Sequence, residues 1–283
     1  MSNILRNIEQ PALIEAIEAN FIEQMAWFGR ALPQAELHKT PELLWLYTGK
    51  GNPNGVISTR FVHSEHDYLQ THIEKIQAYY RERGVPFTWS VGPSTRPAFL
   101  ADVLQKNGFI QRSNTRGMAL EIAARREDVQ VNTELVISEI QDVDMLETLK
   151  LVEKEGFETS WENAQYYIDI YSHAGFGHSL PWHHYIGWLN DTPVAKASLL
   201  YHAGVAGIYG VATRPEARRK GIGVTMTLHV LREAQATGYS VAILSSTDMS
   251  EAIYRRIGFE HYCTIDHYLS FDKRAGNSDP MSS

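Results

Sequence analysis

From Leu13 to Phe28 the apolar residues recur at helical spacing, and from Leu43 to Tyr47 they run unbroken. The first pattern predicts an amphipathic helix and the second a buried strand. A second strand is expected over Gly55 to Phe61, with Gly-Lys-Gly-Asn-Pro-Asn at 49–54 turning the chain between the two. A helix is expected from Tyr68 to Arg83, closed by Gly84. A strand follows at Phe87 to Val91, a helix from Pro97 to Asn107 ending at Gly108, and a strand from Met118 to Ile122. The polar, acidic stretch from Ala123 to Thr133 then breaks the pattern.

The pattern restarts with a strand over Glu134 to Glu139 and a helix around Asp144 to Glu155. An aromatic- and histidine-rich segment of helix and loop follows, from Phe157 to His184. Strands are expected at Tyr185 to Asn190, Val194 to Tyr201 and Gly207 to Thr213. After them come a glycine-punctuated loop, a helix over Gly223 to Ala236, a strand at Val241 to Leu244, a helix ending at Gly258 and a strand over His261 to Ser270. The two halves echo each other. Leu100 to Phe109 and Glu251 to Phe259 each follow a strand and a turn, and each reaches a Gly-Phe pair before a further strand. A repeat of this length reads as two copies of one α+β unit. Two unrelated helices with glycine C-caps are the plainer alternative.

Composition removes several classes. A net charge of −7 argues against a nucleic-acid partner held by backbone electrostatics. With one cysteine, Cys263, there is neither an internal disulfide nor a cysteine-rich zinc site. His173, His178, His183 and His184 are spaced five, five and one apart, and the trio His63, His66 and His72 is no more regular. Neither set is a helical ligand pair, and no metal is expected. The N-terminus lacks the basic and apolar regions of a signal peptide, and no stretch is apolar enough for a membrane span, so a cytoplasmic protein is expected.

The strongest local signal lies at Val211-Ala212-Thr213-Arg214-Pro215-Glu216-Ala217-Arg218-Arg219-Lys220-Gly221-Ile222-Gly223. An apolar strand runs into a turn and then into a loop that opens a helix. The first N–H groups of a helix lack partners and lie at its positive end, which makes an anion site. Gly221 and Gly223 admit an anion close to the backbone, while Arg218, Arg219 and Lys220 add cationic donors. The spacing matches neither the P-loop nor the dinucleotide fingerprint. Taken alone, Gly-Ile-Gly fits a plain helix start with a solvated basic face equally well.

In its setting, Arg218-x-x-Gly221-x-Gly223 after a strand and a proline turn resembles the cofactor loop of the GNAT superfamily of N-acetyltransferases. The element order over about 134–270 agrees, as does Tyr254 four residues before Gly258-Phe259. The resemblance implies tandem GNAT-like domains of α+β (α/β) class, each a mixed, mostly antiparallel sheet flanked by helices. It implies a degenerate copy at 1–126, a linker at 127–133, a catalytic domain at 134–272 and a polar tail at 273–283. It also implies acetyl-CoA as acyl donor, without a metal, and direct transfer to a small-molecule amine.

By the same resemblance, Val211, Ala212 and Thr213 hold the pantetheine arm, and the Val211 N–H is the oxyanion donor. Arg218, Arg219, Lys220, Gly221, Ile222, Gly223 and Val224 hold the diphosphate. Tyr254 protonates the departing thiolate; a phenol, with an ordinary pKa near 10, carries its proton at neutral pH and can donate to the developing anion. An aromatic core residue is the other reading of Tyr254.

Thr247 stands where the family often has an asparagine, and the cofactor strand carries Gly207 and Tyr209 where some relatives carry a carboxylate base. Glu155, Glu158, His178 and His183 are the remaining base candidates. The first copy has Leu104 in place of the tyrosine and acids in place of the glycine loop, so one coenzyme site per chain is expected. A non-catalytic acyl-CoA sensor is the competing class, and a hydroxyl or a peptide amine the competing acceptor.

Overall fold

The computed structural model describes residues 4–6, 9–49, 53–177 and 179–270. The centre of the 49–54 turn, His178 and the expected tail lie outside them. The expected helix of the first half is α1 (Gln10–Ala31), followed by β1 (Glu36–Lys39), β2 (Leu43–Tyr47), β3 (Gly55–Thr59), α2 (His66–Glu82), β4 (Thr88–Val91), α3 (Leu100–Lys106) and β5 (Phe109–Glu121). The second half runs β6 (Val136–Glu139), α4 (Val143–Gly156), α5 (Trp161–Ala174), β7 (Trp182–Leu189), β8 (Thr192–His202), β9 (Val205–Thr213), α6 (Ile222–Ala236), β10 (Val241–Ser246), α7 (Asp248–Ile257) and β11 (Glu260–Ser270).

All eleven strands join one sheet in the order β1-β2-β3-β4-β11-β5-β10-β9-β8-β7-β6. Its ladders are antiparallel except β3 with β4 and β9 with β10, which are parallel. The fold is therefore α+β with a mixed, mostly antiparallel sheet flanked by helices.

The period-2 alternation of the central strands explains why helices cover both faces. Met118 and Leu120 of β5, with Ala242 and Leu244 of β10, pack against α6. Their neighbours Ala119, Val241 and Ile243 pack against Leu13, Ala16 and Ile17 of α1. Helices α4 and α5 continue the α1 layer through Leu146, Leu149, Ile168 and Ile170. Helices α2 and α3 cover the sheet of the first half through Leu69, Ile73, Leu100 and Leu104.

Two features depart from the sequence pattern. Strand β5 begins at Phe109, nine residues before the expected Met118, because its exposed polar stretch Gln111–Asn114 pairs with β11. The halves also exchange their last strands: β5 pairs with β10 of the second half, and β11 pairs with β4 of the first.

Candidate active site

The parallel pairing of β9 with β10 runs through Ala206↔Ala242, Gly207↔Ile243 and Ile208↔Leu244, and stops there. Beyond Ile208 the two strands splay, leaving the β9 edge from Tyr209 to Thr213 without a β10 neighbour. On its other edge β9 bulges. The register jumps from Ser198↔Tyr209 to Lys196↔Ala212, so Gly210 and Val211 together stand opposite Ala197. Gly210 has φ +58°, and a Cβ there would lie 3.3 Å from the Lys196 Nζ, so glycine suits both the turn and the space.

The splay opens a cavity of about 1190 Å³ lined by Val211, Ala212, Thr213, Tyr254 and the start of α6. Helix α6 has Gly221 as N-cap at φ +75° and no acid in its first turn. Arg219 also has positive φ, 61°. No acceptor within the described residues takes the N–H groups from Arg219 to Val224; the first bonded N–H is that of Thr225, which donates to the Gly221 carbonyl at 2.9 Å. A row of open N–H groups at the positive end of a helix is what a diphosphate requires.

The two glycines differ. A Cβ on Gly221 would lie 2.9 Å from the Gln130 carbonyl oxygen, so the fold itself demands this glycine. A Cβ on Gly223 would meet only Thr213 Oγ1, at 3.8 Å. Space is left open at Gly223 that the protein does not use.

The three cations of the loop have different fates. Arg218 donates to the carbonyls of Thr213 at 3.1 Å and Gly156 at 3.0 Å, and to Glu158 Oε1 at 2.7 Å. It ties the end of α4 to the loop. Arg218 and Arg219 both line the cavity, whereas Lys220 stands off the lining. Arg126 and Arg256 also line it, and sequence reasoning missed both; neither lies in a motif. The stretch expected as a linker wraps the site: Asn132 N–H donates to Thr225 Oγ1 at 2.8 Å, and Asp128, Val129 and Gln130 line the cavity.

Tyr254 sits on α7 with its ring edge-on to Phe259, centroids 5.9 Å apart. Burial pushes its pKa up to about 12, so the phenol holds its proton across the neutral range. Thr247 is the N-cap of α7 and donates its N–H to Ser250 Oγ at 3.2 Å; Ser250, rather than Thr247, lines the cavity.

Of the base candidates, Glu155 accepts from Arg214 Nε at 2.6 Å and Glu158 from Arg218. His183 contacts Glu139 at 2.6 Å through Nδ1, and its ring lies against Tyr201. Of the three, Glu158 lines the coenzyme cavity together with Val211, and Glu155 and His183 do not. Among the described residues no group of three or more His, Cys, Asp and Glu side chains could hold a metal ion. No helix there is long and apolar enough to cross a membrane.

Residues 202–262, which span β9, the loop, α6, β10 and α7, match the family model for an acetyltransferase (GNAT) domain. No curated protein matches the sequence. A GCN5-related N-acetyltransferase from Kribbella flavida superposes with a TM-score of 0.67 at 18% identity, covering 90% of this chain and 96% of that one. A tandem GNAT protein from the clavulanic acid biosynthesis pathway gives 0.62 at 12% identity, covering 95% and 98%. A GCN5-related N-acetyltransferase from Sphaerobacter thermophilus gives 0.61 at 12%, covering 95% of each chain. At these identities the superpositions establish the fold, and the sequence match lies on the site itself. In sequence over 202–262 and in fold along nearly its whole length, this chain is similar to the GNAT acetyltransferases, in their tandem form.

Proposed function

We propose that the chain binds acetyl-CoA in the second-half cavity and transfers its acetyl group directly to an amine. The observation that carries this reading is the splay of β9 from β10 directly above the open N–H groups at the start of α6. The diphosphate lies on Arg219–Val224, and the pantetheine arm follows Val211, Ala212 and Thr213 up the free edge of β9. Arg218 acts by holding the loop in place.

The amine nitrogen attacks the thioester carbonyl carbon, and charge develops on the carbonyl oxygen. The Val211 N–H, placed by the Gly210 bulge, donates to that oxygen; a donor of this kind is worth about 3–4 kcal/mol at the tetrahedral stage. The new N–C bond forms, the C–S bond breaks, and the departing thiolate takes its proton from the Tyr254 hydroxyl. The nitrogen sheds its extra proton to water, and a proton from water restores the Tyr254 phenol. The domain arrangement belongs to the same proposal: scaffold at 1–126, connector at 127–133 and catalytic unit from 134.

Calorimetric titration with coenzyme A and a thiol-release assay with an amine panel test it. One coenzyme A site per chain and amine-dependent thiol release are expected. Two equivalent sites would overturn the assignment to the second half, and binding without release would make the protein a sensor.

A further inference from the structure

A second cavity, of about 410 Å³, lies at the junction of the two halves. It meets the coenzyme cavity at Phe157, which lines both, and at the β9 bulge, where Gly210 lines this cavity and Val211 the other. Helix α1 supplies Gln24, Met25 and Phe28 as one wall. Much of the remaining lining is aromatic, with Tyr167, Tyr171, Trp182 and Tyr209.

Among the described residues the charged groups that line it are Glu153 and Lys196, on α4 and β8. Lys196 is fully buried and Glu153 is 3% exposed. The Lys196 ammonium donates to Glu153 Oε2 and, at 3.2 Å, to the Tyr171 hydroxyl. Burial opposes the lysine's charge, but the carboxylate and the phenol hold its pKa above the ordinary value. The ammonium thereby uses two of its three N–H groups, while the other Glu153 oxygen has no bonded partner among the described residues. Removing two charges from water is costly and seldom serves stability alone.

Resting on the coenzyme reading above, we propose that this cavity is the acceptor site and that it takes a small monocationic amine with an aromatic or compact apolar body. The free Glu153 oxygen receives the ammonium, and the surrounding ring faces favour a cation and cover its body. Once the ammonium has lost one proton to water, its nitrogen stands beside Gly210 and Val211 with a lone pair for the thioester carbonyl. A polyamine would bury further cations with no second acid to meet them. An amino acid's carboxylate would face the Glu153 carboxylate, with a single unbonded Lys196 N–H to offset that repulsion.

The test is calorimetric titration of the full chain with 2-phenylethylamine, spermidine and phenylalanine, each with and without coenzyme A. One 2-phenylethylamine site per chain is expected, at least tenfold tighter than for the other two. Met25→Trp narrows the cavity from the α1 side, away from the coenzyme contacts. It is expected to weaken 2-phenylethylamine at least tenfold and raise its KM, with kcat and coenzyme A affinity kept. Glu153→Gln is expected to abolish amine binding; should it misfold with Lys196 unpaired, Met25→Trp still decides. Unaltered amine affinity in a folded Met25→Trp protein overturns the site, and equal affinity for spermidine or phenylalanine overturns the substrate class. Coenzyme A titrated alone separates these outcomes from failure of the coenzyme reading.

Discussion

The two halves solve the same point of the fold in opposite ways. In the second half, β9 and β10 part after Ile208 and nothing fills the gap. In the first half, the parallel pair β3 and β4 also parts, after Val56↔Trp89, but the chain beyond β4 returns to close it. Arg96 N–H donates to the Thr59 carbonyl and Phe61 N–H to the Arg96 carbonyl, both at 3.1 Å. Ahead of α2, the Glu42 carboxylate takes the Val62 N–H at 2.7 Å and the Tyr68 hydroxyl at 2.6 Å; these bonds hold its pKa below the ordinary value. Glu18 likewise accepts the Ser94 N–H. Positions that bind an anion when left open are here filled by the protein's own carboxylates. A helix start and a strand splay thus make a ligand site only when the sequence withholds internal partners from them.

Giving the second loop the acid of the first should have the largest effect. Gly223→Asp is expected to weaken coenzyme A at least a hundredfold by calorimetry, yet to melt close to wild type, because the space at Gly223 is open. A large fall in Tm would show that this glycine, too, serves the fold.

Tyr254→Phe removes the hydroxyl that Leu104, fully buried at the matching place in the first half, never had. A loss of about a hundredfold in kcat is expected, with coenzyme A affinity nearly unchanged. Undiminished transfer at every pH would end the acid role.

Acid should act on stability through two buried histidines. His184 of β7 is pushed down to about 3 by burial, with Lys196 and His183 adding to the effect; burial also brings His267 of the exchanged strand β11 to about 4. Both fold neutral, while the unfolded chain binds protons below about 6.5. Stability is therefore full above pH 6.5 and falls as pH drops from there towards 4 and 3, by a few kcal/mol, on the order expected for such shifts. Denaturant titrations across that range measure it, and His267→Gln should flatten the curve.

Gly221→Ala tests the glycine that the fold does demand. A left-handed non-glycine residue costs about 1–2 kcal/mol before its contact with the Gln130 carbonyl is counted, so a lower Tm is expected. The smallest effect should come from the first half: Glu42→Gln should cost about 1 kcal/mol or less and leave transfer untouched. Any loss of activity there would mean that the closed splay of the first half bears on the site.

Element types were legible in the sequence wherever hydrophobic period and punctuation agreed. The helix from Gln10, the loop before α6 and the Gly258 cap all follow from local rules. Strand β1 was missed because Glu-Leu-His-Lys is short and mostly polar. The start of β5 was missed because an exposed strand carries no apolar signal. For the site, the glycine loop could be named as a candidate because a helix start is a local feature, and Tyr254 could be named only through the family resemblance. Arg126, Glu153 and Lys196 could not: their roles depend on neighbours 43 and 131 residues away, Lys196 for Glu153 and Ile257 for the backbone of Arg126.

By itself the sequence determined what lies within a few residues' reach: the period of each element, the open N–H groups before α6 and the tyrosine four places ahead of Gly-Phe. Only the tertiary structure decided which strand lies beside which, that β5 and β11 change places, and that α1 closes a cavity against α4 and α5. The physical reason is that hydrophobic burial rewards an apolar face whatever partner covers it. The choice among partners is made by register, packing and the placing of buried charge, which exist only once the chain has closed on itself.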